Sequence, residues 1–289
     1  MLHLRTLCAA TLIAGLTSCS SESVPTQPET GNQTLQFHIL NFHQTSLDDV
    51  TRATEADSLK HLDLAVYDAQ ADTLVLRLQT NKGDEGYGHF APTLPYGKYN
   101  LVFLGYDGAR QVILTDLHAI RFEGYYVPNL FSKALPITVD GNTASEQGIS
   151  LKRSVAAFSV KHSGYIPSTL DHITIAANGG GQVLNGITGY AATTTPMTQT
   201  YNLTGQVGKT SFTINSYTFL PTEETTMDFI VTAFDANDHE LAKHEFKDVN
   251  MKINQRSTFS GAFFGSTEGT PGFAITLENA EWANVESTY

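Results

Sequence analysis

The sequence predicts an all-β protein made of two antiparallel β-sandwiches in tandem. Apolar residues recur at every second position in many short segments, which is the period of a half-buried strand. Turn-forming residues separate these segments at roughly 8–12-residue spacing, as in known sandwiches. No segment keeps an apolar period of about 3.6 residues over three turns, and residues 46–60, the best helical candidate, are too polar to predict a helix.

The N-terminus is typical of a bacterial lipoprotein signal. Arg5 precedes an apolar run, residues 7–16, that is too short to span a bilayer. The run ends in Leu16-Thr17-Ser18-Cys19, which resembles a lipobox, where the cysteine is acylated and becomes the first mature residue. An ordinary secretory signal or an uncleaved apolar N-terminus are the alternatives. We predict that Cys19 carries the lipid, palmitate included, and anchors the protein to a membrane without crossing it, since two acyl chains suffice for this.

Composition excludes several classes of site and partner. The other cysteine, Cys8, lies in the signal, so the folded part lacks cysteine and can form neither disulfides nor thiolate metal sites. Without Arg5, the mature chain carries 16 Lys and Arg against 29 Asp and Glu, a net charge of −13. Such a surface repels nucleic acid and anionic lipid. We therefore predict no nucleic-acid partner.

The chain divides into four expected parts. Residues 1–18 are the signal and residues 19–33 a polar, Pro-containing, flexible tether. The N-terminal sandwich is expected over residues 34–147 and the C-terminal sandwich over residues 148–289. The boundary is placed in the segment 140–148, which is rich in Gly, Asn, Ser and Glu.

Alternation locates the strands. Residues 35–40 predict a first strand, and the segments 62–66 and 74–78 predict a hairpin around the turn at 68–72. Further alternating sets are Tyr99/Leu101/Phe103, Ala156/Phe158/Val160, Ile173/Ile175, Phe229/Val231 and Phe273/Ile275/Leu277.

Two segments of the second half depart from simple alternation. The apolar pairs Phe212/Ile214 and Tyr217/Phe219 are out of phase across Ser216, which predicts a β-bulge. Residues 178–209 are rich in Gly and Thr and predict long loops with one weak strand rather than core.

No enzyme constellation is found, and we predict no catalytic residue, cofactor or metal. The sequence lacks H-E-x-x-H, G-x-S-x-G and a phosphate-binding loop. Residues 178–181, Asn-Gly-Gly-Gly, predict a turn, because no Lys-Ser/Thr and helix follow them. The acidic stretch 235–240 could supply oxygen ligands to calcium, but a hairpin turn between two strands accounts for it fully and is favoured. Binding or assembly is the favoured class of function.

Three stretches together resemble one family of bacterial surface proteins. Leu94-Pro95-Tyr96-Gly97-Lys98-Tyr99-Asn100-Leu101-Val102-Phe103 resembles the strand entry of transthyretin-like sandwiches, where Pro and Gly turn the chain and an aromatic residue anchors the strand. Asn129-Leu130-Phe131 and Pro136-Ile137-Thr138-Val139, followed by residues 149–160, resemble the crossing between the two domains of the FimB/Mfa2 fimbrial subunits, in the Bacteroidales fimbrillin superfamily. Residues 249–261 resemble the late N-x-x-T-x-x-G strand of that family.

The resemblance implies two transthyretin-like domains and a subunit or anchor of a type V pilus on the outer membrane of a Gram-negative anaerobe. Such pili are described as assembling by strand exchange, so the implied partners are other fimbrial subunits. In stalk subunits a protease cuts after an arginine and removes the first strand, whereas anchor subunits keep it. Arg52 is the candidate processing residue here. The residues themselves do not decide between a stalk subunit and an anchor subunit. The match to the FimB/Mfa2 branch favours the anchor.

A surface lipoprotein that binds glycan or a host ligand through its loops is the alternative function. Exposed aromatic residues would mark such a binder, and Tyr125, Tyr126 and Trp282 are the candidates. Tyr125 and Tyr126 fit equally well as one inward and one outward residue of a strand.

Replacement of the lipobox cysteine tests the anchor. We expect Cys19→Ala to move the protein from the detergent phase to the aqueous phase after phase separation, because no other segment is long and apolar enough to hold a membrane. Cys8→Ala, which changes the cysteine inside the signal, serves as the control and should stay in the detergent phase. A detergent-phase Cys19→Ala protein would contradict the assignment.

Overall fold

Strands form nearly all the regular structure of the computed structural model, which describes residues 31–41, 44–45, 59–264, 276–281 and 283–284. Two single-turn 3₁₀ helices, Glu123–Tyr125 and Thr204–Gln206, interrupt them. The strands are β1 Asn32–Thr34, β2 Gln36–Asn41, β3 Gln44–Thr45, β4 His61–Asp68, β5 Leu74–Asn81, β6 His89–Phe90, β7 Thr93–Pro95, β8 Gly97–Tyr106, β9 Val112–Ile113, β10 Arg121–Phe122, β11 Leu130–Val139, β12 Glu146–Ser150, β13 Lys152–Arg153, β14 Ala156–Ser163, β15 Leu170–Asn178, β16 Met197–Asn202, β17 Ser211–Thr218, β18 Glu224–Asp235, β19 Glu240–Lys252, β20 Gln255–Gly261, β21 Thr276–Glu281 and β22 Ala283–Asn284.

The strands assemble into facing sheets, which confirms the all-β sandwich prediction. In the first half, the five-stranded sheet β13-β11-β8-β4-β5 accompanies the three-stranded sheet β12-β2-β6 and the pair β1-β7. In the second half, the sheets β17-β14-β20-β21 and β16-β15-β18-β19 have four strands each. The pairs β2–β12 and β14–β20 are parallel, and the remaining pairings among the described residues are antiparallel.

The predicted hairpin of the first half is confirmed. Strands β4 and β5 pair antiparallel around a turn in which the Asp68 carboxylate accepts hydrogen bonds from the backbone N–H groups of Gln70 and Ala71. These bonds hold the pKa of Asp68 below its ordinary value. Side chains of β5 alternate between half-buried and exposed, as expected for a strand with one wet face.

The two central strands of the five-stranded sheet are buried on both faces. Leu62, Leu64 and Val66 of β4 lie in the N-terminal core, which also contains Leu35, Phe37 and Phe103. The opposite face of β4, with Ala65 and Tyr67, lies in a second cluster, the middle core. Sequence alternation predicts one wet face for this strand, and that prediction is wrong for β4, because the chain between β8 and β11 covers the second face. This covering chain supplies Leu114, Leu117, Ile120 and Phe122 to the middle core.

One charged group is buried on the covered face of β4. Asp63 has no exposed surface; it accepts a hydrogen bond from Arg77 Nε at 2.7 Å and one from the Tyr106 hydroxyl at 3.0 Å. Burial and the nearby carboxylate of Asp63 raise the pKa of Tyr106, so its hydroxyl stays protonated and donates. These two donors replace the water that the carboxylate loses on folding.

The second half has its own aromatic cluster, the C-terminal core. The ring of Phe158 on β14 stacks on Phe229 of β18, with centroids 3.9 Å apart, and lies 5.3 Å from Phe246 and 5.2 Å from Phe259. Val160 on β14, with the alternating residues of β15 and β18, completes the cluster. The phases predicted for these three strands are confirmed.

The prediction of a β-bulge at Ser216 is wrong. Strand β17 pairs with β14 in unbroken register over its whole length. Phe212 and Ile214 pack in the C-terminal core, whereas Tyr217 and Phe219 pack in the middle core. The change of phase in the sequence therefore marks a segment whose two faces enter different cores.

The loops of residues 178–209 contain one strand, β16, as predicted, and a bend at Gly179, which has a φ of +106°. They also contribute to the interior, contrary to expectation. Leu184 is fully buried in the middle core, and Met197 lies in the C-terminal core. The backbone of Leu184 forms an antiparallel bridge with Ile120, and both side chains lie in the middle core.

The four-part division of the chain stays a prediction. The described residues from Gly31 onward cluster as one compact unit. Strand β1 begins inside the expected tether at Asn32, and β12 spans the expected boundary at 147/148. Cys19, Arg52 and most of residues 46–60 lie outside the described residues, as do Phe273 and Ile275. No helix within the described parts of the chain has the length and apolarity needed to cross a bilayer.

Truncation of core side chains tests the two sandwich cores separately. Leu64→Ala in the N-terminal core and Phe158→Ala in the C-terminal core should each lower the free energy of unfolding by about 2–5 kcal/mol, because both side chains are fully buried. Lys161→Ala, on the exposed side of β14, should change it by about 0.5 kcal/mol or less. Urea denaturation measures all three, and equal losses at the three sites would contradict the strand phases.

Candidate assembly site

The first strand, β2, lies in the middle of its sheet. It pairs parallel with β12 on one edge and antiparallel with β6 on the other. Flanking backbone bonds extend this pairing: Leu35 N donates to Pro92 O at 3.0 Å and Ile39 N to Gly88 O at 2.9 Å. Both edges of the segment are therefore hydrogen bonded to distant parts of the chain. The first strand predicted over residues 35–40 is found as β2, shifted by one residue, and the short strand β1 precedes it.

Two side chains anchor this segment in the N-terminal core. Leu35 and Phe37 are each 1% exposed. The ring of Phe37 packs edge-on against the ring of Phe103 on β8, with centroids 5.2 Å apart. The ring of Phe90 also packs against Phe103, with centroids 6.2 Å apart. Gln36, between the two anchors, faces outward. The segment thus places alternate side chains in the core, as a strand inserted between two others must.

The stretch 94–103 forms the corner beside the first strand. Tyr99 is buried, and its hydroxyl donates to Pro95 O at 3.0 Å across the turn, so the aromatic residue anchors the strand entry as predicted. Tyr96 N donates to Gly31 O at 2.8 Å. A Cβ atom at Gly31 would come within 3.0 Å of the Tyr96 ring, so the ring would have to shift to admit a side chain there.

A polar cluster of His38, His89 and Glu146 lies on the outer side of β2. The Nδ1 atoms of His38 and His89 are 2.6 Å apart, and their rings meet edge to face. His38 Nε2 lies 2.9 Å from the Glu146 carboxylate, at the distance of an ion pair but without the angle of a hydrogen bond. One residue from each of β2, β6 and β12 meets here, so the cluster ties together the three strands of this sheet.

A buried arginine joins the two halves of the chain. Arg153 is 2% exposed; its Nε donates to Asn129 Oδ1 at 2.9 Å and its Nη1 to Asn254 Oδ1 at 3.1 Å. Its guanidinium lies 4.7 Å from the centroid of the Phe131 ring. The stretches 129–131, 149–160 and 249–261 supply these residues, so motifs far apart in the sequence converge on one side chain. Sequence reasoning included Arg153 in a motif but assigned it no role.

The loop candidates show no sign of a metal site. Asp235 closes the hairpin between β18 and β19, as predicted, and accepts bonds from the backbone N–H groups of His239 and Asn237, which lower its pKa. No group of three or more His, Cys, Asp or Glu side chains in the described part of the chain could hold a metal ion.

Two of the three aromatic candidates for a binding surface lie within the described residues. Tyr125 is 49% exposed at the end of a 3₁₀ turn, with a φ of +55°, and Tyr126 is half-buried. Neither residue lies on a strand, so the alternative prediction that they are the inward and outward residues of a strand is wrong. Trp282 lies outside the described residues.

The sequence model of one protein family, described as "Fimbrillin-A associated anchor proteins Mfa1 and Mfa2", matches residues 27–276. The chain belongs to this family. The match includes the first strand, its partners β6 and β12, and the three motif stretches, so the family assignment made from the sequence is confirmed.

Three solved structures are reported for comparison. A protein described as an adhesin from Bacteroides ovatus has a TM-score of 0.51 at 14% identity and covers 86% of this chain and 96% of its own. The fimbrial anchor protein Mfa2 from Porphyromonas gingivalis has a TM-score of 0.39 at 10% identity, with coverages of 87% and 98%. The truncated tip fimbrial protein Mfa3 from the same organism has a TM-score of 0.37 at 10% identity, with coverages of 88% and 100%. The first likeness shows a shared fold, and no curated protein sequence matches the chain.

Truncation of the anchoring side chain tests how firmly the Mfa2-family first strand is held. Phe37→Ala should lower the free energy of unfolding by about 3–5 kcal/mol, because it empties a buried aromatic site against Phe103. The adjacent outward residue provides a matched control: Gln36→Ala should cost about 0.5 kcal/mol or less. Chemical denaturation gives both values, and a Phe37→Ala loss as small as the control's would show that the segment is not anchored by its core face.

Proposed function

We propose that the protein is a lipid-anchored structural subunit, of the anchor type, in a cell-surface fimbria. Its lipid is placed on Cys19 and holds it at the outer membrane, and its partners are other fimbrial subunits. Membership of the family of fimbrial anchor proteins supports the fimbrial role, and a structural role in a fibre is non-enzymatic.

The description of the matched family as anchor proteins carries the anchor assignment, and the paired strand β2 agrees with it. In strand exchange, an incoming strand supplies backbone hydrogen bonds and fills pockets with alternate side chains. Here the chain's own β2 already fills the position between β6 and β12, with Leu35 and Phe37 in the core. A subunit that keeps this strand has no acceptor groove at this place, which suits a subunit that ends the fibre.

Processing at Arg52 would convert one type into the other. Cleavage after Arg52 would detach β1, β2 and β3 from the rest of the chain and open the sheet between β6 and β12. The same cut would separate the fold from Cys19. One cut therefore cannot both preserve the lipid anchor and create the acceptor, and we propose that Arg52 remains uncut.

A disulfide lock on the first strand tests this proposal in cells. His38 and His89 face each other in the antiparallel register of β2 and β6. Directly opposed residues without mutual backbone bonds have Cα atoms about 4.5 Å apart, within the range of disulfide bridges. We expect the His38→Cys/His89→Cys protein to support normal fibres whether oxidised or reduced, because an anchor never releases this strand. Fibre counts by electron microscopy give the readout, with the single variant His38→Cys as control.

Two results would overturn the anchor assignment. The first is a loss of fibres in the oxidised double variant that a reductant restores, since this would show that β2 must leave its sheet. The second is a mature form beginning at Ala53 in isolated fibres. Mass spectrometry of the native protein should instead find acylated Cys19 in one chain with residues 35–60.

A further inference from the structure

The distal end of the C-terminal half is closed by Phe263, just beyond the end of β20. Its ring is 2% exposed and lies in the C-terminal core. This end is remote from the first half, because the chain enters β14 from the middle core at Val155 and leaves it at Ser163. Together with the two histidines that bind its backbone, His162 and His244, Phe263 forms the distal plug.

Both backbone groups of Phe263 are bonded to imidazole rings. Phe263 N donates to Nδ1 of His162 at 2.9 Å, and Nε2 of His244 donates to Phe263 O at 2.9 Å. His162 belongs to the sheet β17-β14-β20-β21, and His244 belongs to the sheet β16-β15-β18-β19. The plug therefore ties the two sheets of the C-terminal half together at their distal end.

These two bonds respond differently to a proton. Nδ1 of His162 accepts a bond, so it carries no proton and the neutral ring keeps its proton on Nε2. Nε2 of His244 donates, and both the neutral and the charged form of that ring can keep the proton there. Acid therefore spares the His244 bond. A proton on Nδ1 of His162 would instead face the N–H of Phe263 and remove its acceptor.

The surroundings of His162 disfavour a charged ring. The side chain has no exposed surface. Phe212 of β17 stacks on the ring with centroids 4.9 Å apart, and Phe264 meets it edge-on at 5.3 Å. Burial lowers the pKa of His162, and the nearby backbone carbonyls of Gly164 and Tyr165 oppose this only in part.

No opposite charge from the neighbouring strands compensates. On β14 itself, Lys161 is exposed on the other face of the strand, and β17 carries no charged residue. On β19, Lys243 and Glu245 lie on either side of His244 in the sequence and pair with each other. His244 is thus the second titratable group of the plug, and its charge would repel a charge on His162.

We propose that the distal plug is an acid-sensitive latch, in which protonation of His162 releases Phe263 and opens this end of the C-terminal half. Opening would expose the rings that now pack around the histidine, Phe212 and Phe264 among them. A buried histidine whose acceptor nitrogen holds a backbone N–H is suited to this task, because one proton both breaks the bond and leaves a charge in an apolar site. The latch goes beyond the fimbrial role and does not depend on it.

The direction of the pKa shift fixes the pH window. The pKa of His162 is lower in the closed protein than in an opened one, so the closed state is fully favoured above the ordinary histidine value of about 6.5 and loses its advantage below it. Asp228 and Asp235 also have lowered pKa values. Their contributions are present above the ordinary carboxyl value of about 3.9 and stay constant between pH 7.5 and 5.5.

Amide hydrogen exchange of the full mature chain, followed by NMR, tests the latch. At pH 5.5 an opened imidazole of ordinary pKa is protonated about ten times more often than it is neutral, so opening should become up to about tenfold more frequent than at pH 7.5. After correction for the intrinsic pH dependence of exchange, the protection factor of the Phe263 amide should fall by several-fold. The Leu64 amide, in the N-terminal core, reports global unfolding and should keep its protection.

Two variants assign the effect to one ring. In His162→Asn, the side-chain Oδ1 takes the place of Nδ1, accepts from Phe263 N and does not titrate, so protection should be equal at the two pH values. In the matched control His244→Gln, the side-chain amide still donates to Phe263 O, and the loss of protection in acid should persist. Thermal melting at pH 7.5 checks that each variant is folded. The ring nitrogen shifts of wild-type His162 give a readout that needs no variant and should show a bare Nδ1 at pH 7.5.

Any of four results would refute the latch. The first is a change of less than about twofold in the protection of Phe263 between the two pH values. The second is an equal fall at Leu64, which would show global unfolding. The third is an undiminished acid response in folded His162→Asn protein, and the fourth is a proton on Nδ1 of wild-type His162 at pH 7.5.

Discussion

The architecture depends on the burial of β4 and β8 on both faces. One face of these strands belongs to the N-terminal core and the other to the middle core, to which Leu184 and Phe219 of the second half also contribute. Because the folded region contains no cysteine, it has no disulfide bonds. Apolar burial must therefore hold its parts together. The charge of Asp63 is tolerated inside this arrangement because Arg77 and Tyr106 both donate to it. The junction at Arg153 follows the same rule, with a buried guanidinium that donates to amide oxygens from two distant stretches.

Much of this fold could be predicted from the sequence, and the errors share a physical cause. Period-two alternation locates a strand when one face is buried and the other is wet, as in β5. Alternation gave wrong predictions for β4 and for the segment around Ser216, because in each case both faces pack against a core. The alternating pattern cannot distinguish between two different cores. Leu184 was missed because a loop residue becomes buried through tertiary contact, which leaves no local pattern.

The candidate sites were less accessible to sequence reasoning. The cluster of His38, His89 and Glu146 depends on the register between strands, and β6 has only two residues, too few for a periodic signal. The family motifs, by contrast, could be recognised because each contains local turn chemistry, such as the Pro95–Gly97 corner. Cys19 and Arg52 lie outside the described residues, and their roles stay predictions.

The central position of β2 has a mechanical consequence. If a lipid on Cys19 holds the protein while a fibre is pulled by flow or by a host surface, the load enters the fold through the chain just before Gly31. Tension along this chain must break the backbone bonds of β2 to β6 and β12 and drag Leu35 and Phe37 out of the core. Resistance to such a pull is set by the rate of forced unfolding rather than by equilibrium stability. The strand that completes the sheet would then also be the point at which the whole fibre is tied to the cell.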